Sequence, residues 1–219
     1  MNIYTMQGGS VEYGEPKRRT TAFSDIDLRI QEGEFLVLTG PSGSGKTSLI
    51  NVLAGFQPLT TGTISFKGVD LRTMSERALS DYRVRGIGMV HQFFNLIPEL
   101  TAEENVMAPL LLGGLRFHQA RDRARELLER VNLAHRFRHL PRELSGGEQQ
   151  RAAVARAIAN EPSVLLCDEP TGNLDARNSE AVMQTLAEIH SQGSKTVVLV
   201  THDKQAAAAG TRVVDMASG

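Results

Sequence analysis

The chain has 219 residues, 41% of them hydrophobic and only 5% aromatic, with 24 basic against 25 acidic residues and a net charge of −1. That length suits one large domain with an aliphatic core, or one domain carrying an insert, and the balanced charge removes any global electrostatic case for nucleic acid. One cysteine, Cys167, excludes an intramolecular disulfide framework and fits a reducing compartment. The N-terminus lacks the charged-then-apolar order of a signal peptide. The apolar stretch at 106–115 is too short to span a bilayer and contains Pro109. The chain is expected to be soluble by itself, with any membrane role supplied by a partner.

In chain order, residues 3–6 read as a short strand, followed by a polar loop over 7–19. Ile26, Leu28 and Ile30 alternate with Asp25, Asp27 and Arg29, the pattern of a half-exposed, antiparallel strand. After a turn at 31–34, residues 35–39 form a continuous apolar run, as in a buried parallel strand. A helix is expected from about 45 to 53, a strand over 63–66 with a turn at Lys67-Gly68, and another strand over 87–90. From 102 to about 141 the signals are helical. Ala120, Ala124, Leu127, Leu128 and Val131 make a stripe at helical spacing. That region, about 92–160, reads as a helical subdomain inserted into an α/β core. Strands return at 164–167 and 197–200 with a helix over 176–191 between them, a βαβ unit and hence a parallel sheet. A short helical run follows at 206–209.

Gly40-Pro41-Ser42-Gly43-Ser44-Gly45-Lys46-Thr47 fits the pattern G-x-x-x-x-G-K-[ST] between an expected strand and an expected helix. Its glycines let the backbone wrap a phosphate. Lys46 can reach the β- and γ-phosphates, Thr47 can place its hydroxyl on Mg²⁺, and Ser48 is available to the α-phosphate. A plain glycine-rich turn accounts for the glycines but not for Lys46-Thr47 in that setting. The motif calls for a nucleotide and Mg²⁺ without separating kinase, GTPase, helicase and transporter ATPase.

Leu165-Leu166-Cys167-Asp168-Glu169 ends a buried strand in two acids. Such a pair costs solvation unless a cation is near, and ligands of these sheets bind beyond the carboxyl ends of the strands. Asp168 is assigned to the Mg²⁺ shell and Glu169 to the general base that polarises the attacking water. Cys167 is read as packing. His202, after the strand at 197–200, is positioned to bond a γ-phosphate or the attacking water. Gln92, after the strand at 87–90, can add a Mg²⁺ or water contact. Taken alone, each of these two is more plainly structural.

Leu144-Ser145-Gly146-Gly147-Glu148-Gln149-Gln150-Arg151 is a helix start without bulk. Ser145 can cap and Glu148 can reach back, a capping box. Gly146 and Gly147 leave backbone N–H groups bare at the positive end of the helix dipole, a site suited to phosphate. The other motifs already hold a nucleotide, so this one is expected to complete the site from a second copy of the chain, with Ser145 and Gly147 facing the γ-phosphate held there.

Together these motifs resemble the nucleotide-binding subunit of ATP-binding-cassette transporters over essentially the whole chain. The resemblance implies an α/β fold over residues 1–219: a P-loop NTPase core with a mainly parallel sheet, an N-terminal antiparallel β-subdomain and the inserted α-helical subdomain. It implies that Tyr13 stacks on adenine, with Tyr4 as a weaker match, and that Asp175, in Gly172-Asn173-Leu174-Asp175, belongs to a loop that communicates across a dimer. Gln92-Phe93-Phe94-Asn95-Leu96-Ile97-Pro98 and Asp168-Glu169-Pro170-Thr171-Gly172-Asn173-Leu174-Asp175 look like the branch concerned with lipoprotein release, macrolide export and cell division. Its ATPases pair with permeases of few membrane helices and transmit mechanical work. The resemblance thus implies hydrolysis of ATP with Mg²⁺, catalysis by Lys46, Gln92, Glu169 and His202, an ATP-driven homodimer, and a place on the cytoplasmic face of the inner membrane. The permease would be received by the segment from Gln92 to Asn105. Phe93, Phe94, Leu96 and Ile97 form an apolar cluster there, with internal packing as the competing explanation.

The competing function is a soluble cassette ATPase acting on nucleic acid or ribosomes, suggested by Arg116, Arg121, Arg123, Arg125, Arg130, Arg136, Arg138 and Arg142 in the insert. A solvated helical face with charge pairs explains those arginines more simply, and the soluble class usually carries two cassettes or a long coiled coil. A binding module without hydrolysis is opposed by the presence of Lys46, Asp168, Glu169 and His202. Three departures stand out: Lys46-Thr47-Ser48 reverses the frequent Ser-Thr order, the N-terminal strand from Asn2 to Met6 matches poorly, and the sequence stops at Gly219, where the family usually continues with a further short strand and tail.

Overall fold

The computed structural model describes residues 1–15, 18–193 and 195–216. Strand β1 (Asn2–Tyr13) pairs antiparallel with β2 (Thr20–Gln31) on one edge and with β4 (Thr61–Phe66) on the other, and β4 turns into β5 (Val69–Asp70). Most of the stretch expected as a loop after residue 6 is therefore strand. The pairing with β2 shifts register between Met6 and Gly9 and again between Gly9 and Val11, and Gly8 sits at φ 55°. Such a bulge breaks the alternation by which strands are recognised, yet Val11 beyond it is fully buried.

The second sheet is parallel, in the order β6-β7-β8-β3-β9: β3 (Phe35–Thr39), β6 (Ile87–His91), β7 (Val164–Asp168), β8 (Thr196–Val200) and β9 (Arg212–Asp215). β3, β7 and β8 are apolar on both faces because both faces are covered. Phe35, Val37, Leu165, Cys167, Val197 and Leu199 face the helical side, and Leu36, Leu38, Leu166, Val198 and Val200 face the antiparallel sheet. The exposed edge strand β9, Arg-Val-Val-Asp, was not anticipated; it lacks the continuous apolar run of its neighbours. Residues 217–219, on which the expectation about the chain end partly falls, lie outside the described residues.

Helix α1 (Lys46–Leu53) follows β3, and α2 (Glu76–Arg85) precedes β6. The sequence reading missed α2 because it has little apolar face: Tyr82 is its one buried residue. The Tyr82 hydroxyl bonds the Tyr4 hydroxyl and the Leu53 carbonyl. Tyr4 itself is only 1% exposed, which removes it as an adenine contact.

The insert consists of α3 (Ala102–Leu112), α4 (Phe117–Arg130) and α5 (Gly146–Ala157), with α3 started by a Thr101–Glu104 capping box. The stripe from Ala120 to Val131 is buried against the helical-side core. Arg121 and Arg125 both pair with the largely buried Glu103, at 2.9 and 2.7 Å, and Arg123 pairs with Glu126 and Glu161. Arg121, Arg123 and Arg125, with Arg136 on Glu148, are thus tied to carboxylates of their own chain. Helix α6 (Ala176–Gly193) crosses from β7 to β8, and α7 (Lys204–Ala207) leads towards β9.

Because β3, β6, β7 and β8 are parallel, the residues that follow them emerge at one edge of the sheet. The phosphate loop, Gln92, Asp168-Glu169 and His202 are the residues at those four strand ends.

Candidate active site

The loop from Gly40 to Gly45 joins β3 to α1. Gly45, the N-cap of α1, has φ 86°, and a Cβ there would lie 2.4 Å from the Ala22 carbonyl oxygen. Left-handed backbone and a close approach both require glycine at this point. The Lys46 ammonium is buried inside the loop and donates to the carbonyls of Gly40 (2.9 Å) and Pro41 (2.7 Å) and to Ser44 Oγ (3.3 Å). It is thus held where a phosphate wrapped by the loop would meet it. Ser42 and Gly43 form the outer part of the loop, and no Cβ at Gly43 would meet any atom within 4 Å.

The Thr47 hydroxyl donates to Asp168 Oδ1 at 3.3 Å, joining the first helical turn to the end of β7. Burial pushes the Asp168 carboxyl above its usual range and the charge of Glu169 adds to this, opposed by the Thr47 bond, His91 and Lys46. Burial also lowers the pKa of His91, as does Arg156. A hydroxyl and an under-compensated carboxylate at this spacing fit a hard cation that takes oxygen ligands. Among the described residues no cluster of three or more His, Cys, Asp or Glu could form a cage.

Glu169 stands at φ 48°, a left-handed conformation unusual for a residue with a side chain, and its N–H donates to the Val200 carbonyl at 3.0 Å. The backbone turn aims its carboxylate at His202, with Oε2 and Nδ1 2.5 Å apart. The two residues expected to manage the attacking water are thus brought into contact, and the imidazole is largely exposed.

Three of the expected site residues have contacts within the chain itself. Gln92, expected at the metal, exchanges hydrogen bonds with Asn173 through other atoms: Nε2 donates to Asn173 Oδ1 at 3.4 Å and Asn173 Nδ2 donates back to the Gln92 backbone carbonyl at 3.2 Å. It braces the end of β6 against the loop after Glu169. Glu148 was grouped with the nucleotide contacts, yet its carboxylate accepts from the Ser145 N–H (2.8 Å), the Ser145 hydroxyl (2.9 Å) and Arg136 Nε (2.9 Å). Its task is to hold the helix start. Gly147, expected to present its amide, is buried, and Asn178 occupies the side where a Cβ would stand. Ser145 is exposed and Gly146 partly so.

Tyr13, expected at the adenine, lies at the end of β1. Its hydroxyl bonds Ser48 Oγ at 3.0 Å and Gln57 Oε1 at 2.6 Å, which sets an exposed ring beside the phosphate loop. Asp175 caps α6 by accepting from the Asn178 N–H at 2.8 Å. Residues that no sequence spacing pointed to also organise the site. Buried Gln150 donates to the His91 carbonyl (3.2 Å) and the Pro170 carbonyl (2.6 Å). Arg156 holds the carbonyls of Phe94 and Asn95, two residues at φ 58° and 50°.

Burial opposes the charge on Glu148, but its bonds to Ser145 and Arg136 prevail and bring its pKa from 4.5 down to about 2. A depressed folded-state pKa adds stability that is fully present above the unfolded value and is lost as pH falls through the folded one. Denaturant titrations should therefore show a constant stability gap between the wild type and Glu148→Ala near neutral pH. The gap should close between pH 4.5 and 2. A gap that persists through this window would mean that the carboxylate does not carry the cap.

The sequence profile described as ABC transporter matches residues 23–172. The chain is 44% identical over 207 residues to the lipoprotein-releasing system ATP-binding protein LolD of Geobacter metallireducens, covering 94% of this chain and 92% of that protein. It is 45% identical over 202 residues to LolD of Syntrophotalea carbinolica, covering 92% and 89%. Among solved structures it is similar to a dimeric post-hydrolysis state of the ATP-binding cassette MJ0796 bound to ADP and Pi, with TM-score 0.90, 37% identity and coverage of 97% and 94%. A second dimeric structure of MJ0796, a bacterial ABC transporter cassette, matches with TM-score 0.90 and 38% identity. The profile spans more than half of the chain, including the phosphate loop, the capped helix start and Asp168-Glu169, and the chain belongs to the ABC transporter family.

Proposed function

We propose that this ATPase subunit works as a pair of identical chains. Each holds ATP and Mg²⁺ on its own Gly40–Ser48 loop, with Tyr13 on the adenine and Thr47 and Asp168 at the metal. Each receives Ser145 and the start of α5 from the other chain. Glu169, with His202, activates the water, and closure of the pair drives a membrane permease that releases lipoproteins from the inner membrane.

One observation carries the two-chain reading. Ser145 is exposed, its helix start is already capped, and no hydrogen bond or salt bridge among the described residues joins residues 144–151 to residues 40–48. A phosphate-binding helix start with no phosphate loop of its own suits a site completed by a second chain. The two MJ0796 structures are dimers, one of them bound to ADP and Pi, and lipoprotein release is the role named for both LolD relatives.

No helix among the described residues is long and apolar enough to cross a membrane, so the permease would hold the subunit on the cytoplasmic face. The segment from Gln92 to Asn105 divides into two faces. Leu96 packs on the core, Phe94 lies near Gly146, and Phe93 (73% exposed) and Ile97 point outward. Nearby, a groove of about 460 Å³ runs between the insert and the sheet, lined by Phe56, Met89, Asn95 and Leu112 among others. Phe56 and Leu112 are also exposed. An apolar element of the permease would fit this groove and meet the outward face of the segment from Gln92 to Asn105, where Phe93 is exposed.

The test is hydrolysis with and without the co-purified permease. Phe93→Asp should leave folding and ATP binding unchanged, because the side chain is exposed, and abolish stimulation by the permease. Undiminished stimulation would move the docking surface elsewhere.

A further inference from the structure

Asn178 makes contacts that capping does not require. An N-cap carboxylate needs only the backbone N–H of the third helical residue, and Asp175 Oδ1 has that bond. The Asn178 side chain adds a second, with Nδ2 donating to Asp175 Oδ2 at 2.7 Å. The amide is thereby turned so that its oxygen faces Gly147. A Cβ on Gly147 would lie 2.0 Å from Asn178 Oδ1 and 2.4 Å from its Cγ. The next glycine is covered by the same loop: a Cβ on Gly146 would lie 3.4 Å from Leu174 Cδ2. The loop that begins at Asp168 and Glu169 is therefore seated at its far end on the start of α5.

We propose that Asn178 is a positioning residue that clamps the carboxylate loop onto the α5 start of the same chain and so couples the two nucleotide sites of the dimer. This rests on the two-chain function above. In that dimer the carboxylate loop serves the chain's own ATP, through Thr47–Asp168 and Glu169–His202, while the α5 start serves the ATP of the partner. A clamp between them carries a shift at one site to the other, along groups in direct contact. The absence of a side chain at Gly147 follows from this seat.

The test uses the full-length chain and the ATP dependence of hydrolysis. In the wild type two coupled sites should give a Hill coefficient approaching about 2. Asn178→Ala should lower it towards about 1 and weaken the ATP-dependent dimer, measured in a Glu169→Gln background, by about tenfold, the worth of one hydrogen bond to a charged group. ATP affinity of the single chain should not change. Asn178→Asp keeps the shape against Gly147 but loses the donor and sets two carboxylates face to face, so it should lose at least as much cooperativity. Adding Asp175→Asn to that variant restores a donor with its direction reversed and retains a good cap, and should recover the Hill coefficient. A residue that only supports the fold would lower the stability of Asn178→Ala without moving the Hill coefficient.

Wild-type cooperativity in soluble Asn178→Ala and Asn178→Asp, or no recovery in the exchanged pair, would overturn the clamp while leaving the dimer intact. A wild-type Hill coefficient of about 1 would leave the clamp nothing to carry and would overturn it as well. If Glu169→Gln forms no dimer with ATP, the two-chain function fails and the clamp with it.

Discussion

Glu169→Gln should bind ATP with wild-type affinity, lose hydrolysis by about 100-fold or more, and accumulate as an ATP-bound dimer. The rate loss follows from the role of the carboxylate. A general base contributes on the order of 10² to 10⁴, or about 3 to 5 kcal/mol of barrier, and an amide of the same shape cannot take the proton. In our proposal Glu169 has this task over Asp168 because, of the two acids, Glu169 contacts His202, while Asp168 is turned to Thr47. The accumulation follows from charge. Glu169 raises the cost of ionising Asp168, and the same negative charge opposes an anionic γ-phosphate. Its neutral amide removes that repulsion while leaving the phosphate loop and the α5 start untouched. Single-turnover hydrolysis and light scattering with ATP and Mg²⁺ read the two effects separately. A fall in rate of less than about tenfold would assign the base to another residue, and a monomer in saturating ATP would remove the shared site.

The parts of the site legible in the sequence are those whose chemistry depends on neighbours along the chain. Gly40 to Thr47 must be contiguous to wrap a phosphate, Asp168 and Glu169 must end a buried strand, and Ser145 and Glu148 must be three apart to close a capping box. The fold obeyed the same limit. Buried runs such as residues 35–39 and 197–200 announce a parallel sheet, but β1 hides behind its bulge at Gly8 and Gly9, and α2 shows almost no apolar stripe. What stayed hidden is non-local. The Gln92–Asn173 exchange, the Arg156 hold on Phe94 and Asn95, and the seat of Asn178 on Gly147 join segments far apart in sequence. A glycine read alone suggests a bare amide; only the structure shows which side chain fills the space.

Ser145→Arg should leave ATP affinity of the single chain unchanged and reduce steady-state hydrolysis by about 100-fold, the scale of losing one preorganised contact to developing charge. In the folded chain Ser145 takes no part in the phosphate loop. Its hydroxyl bonds Glu148, at 2.9 Å as donor and at 3.3 Å as acceptor from the Glu148 N–H. Losing that cap costs roughly 1 kcal/mol, which Ser145→Ala reproduces without the bulk, so comparison of the two separates a weakened helix from a blocked face. The decisive measurement mixes two inactive variants. Lys46→Ala spoils the phosphate loop and Ser145→Arg spoils the helix start. If each site takes its loop from one chain and its helix start from the other, a mixed dimer concentrates both lesions in one site and leaves the second intact. About half of randomly formed dimers are mixed, so turnover should recover to at most about a quarter of wild type. If each site lay within a single chain, every chain in the mixture would be defective and no mixing ratio would restore activity.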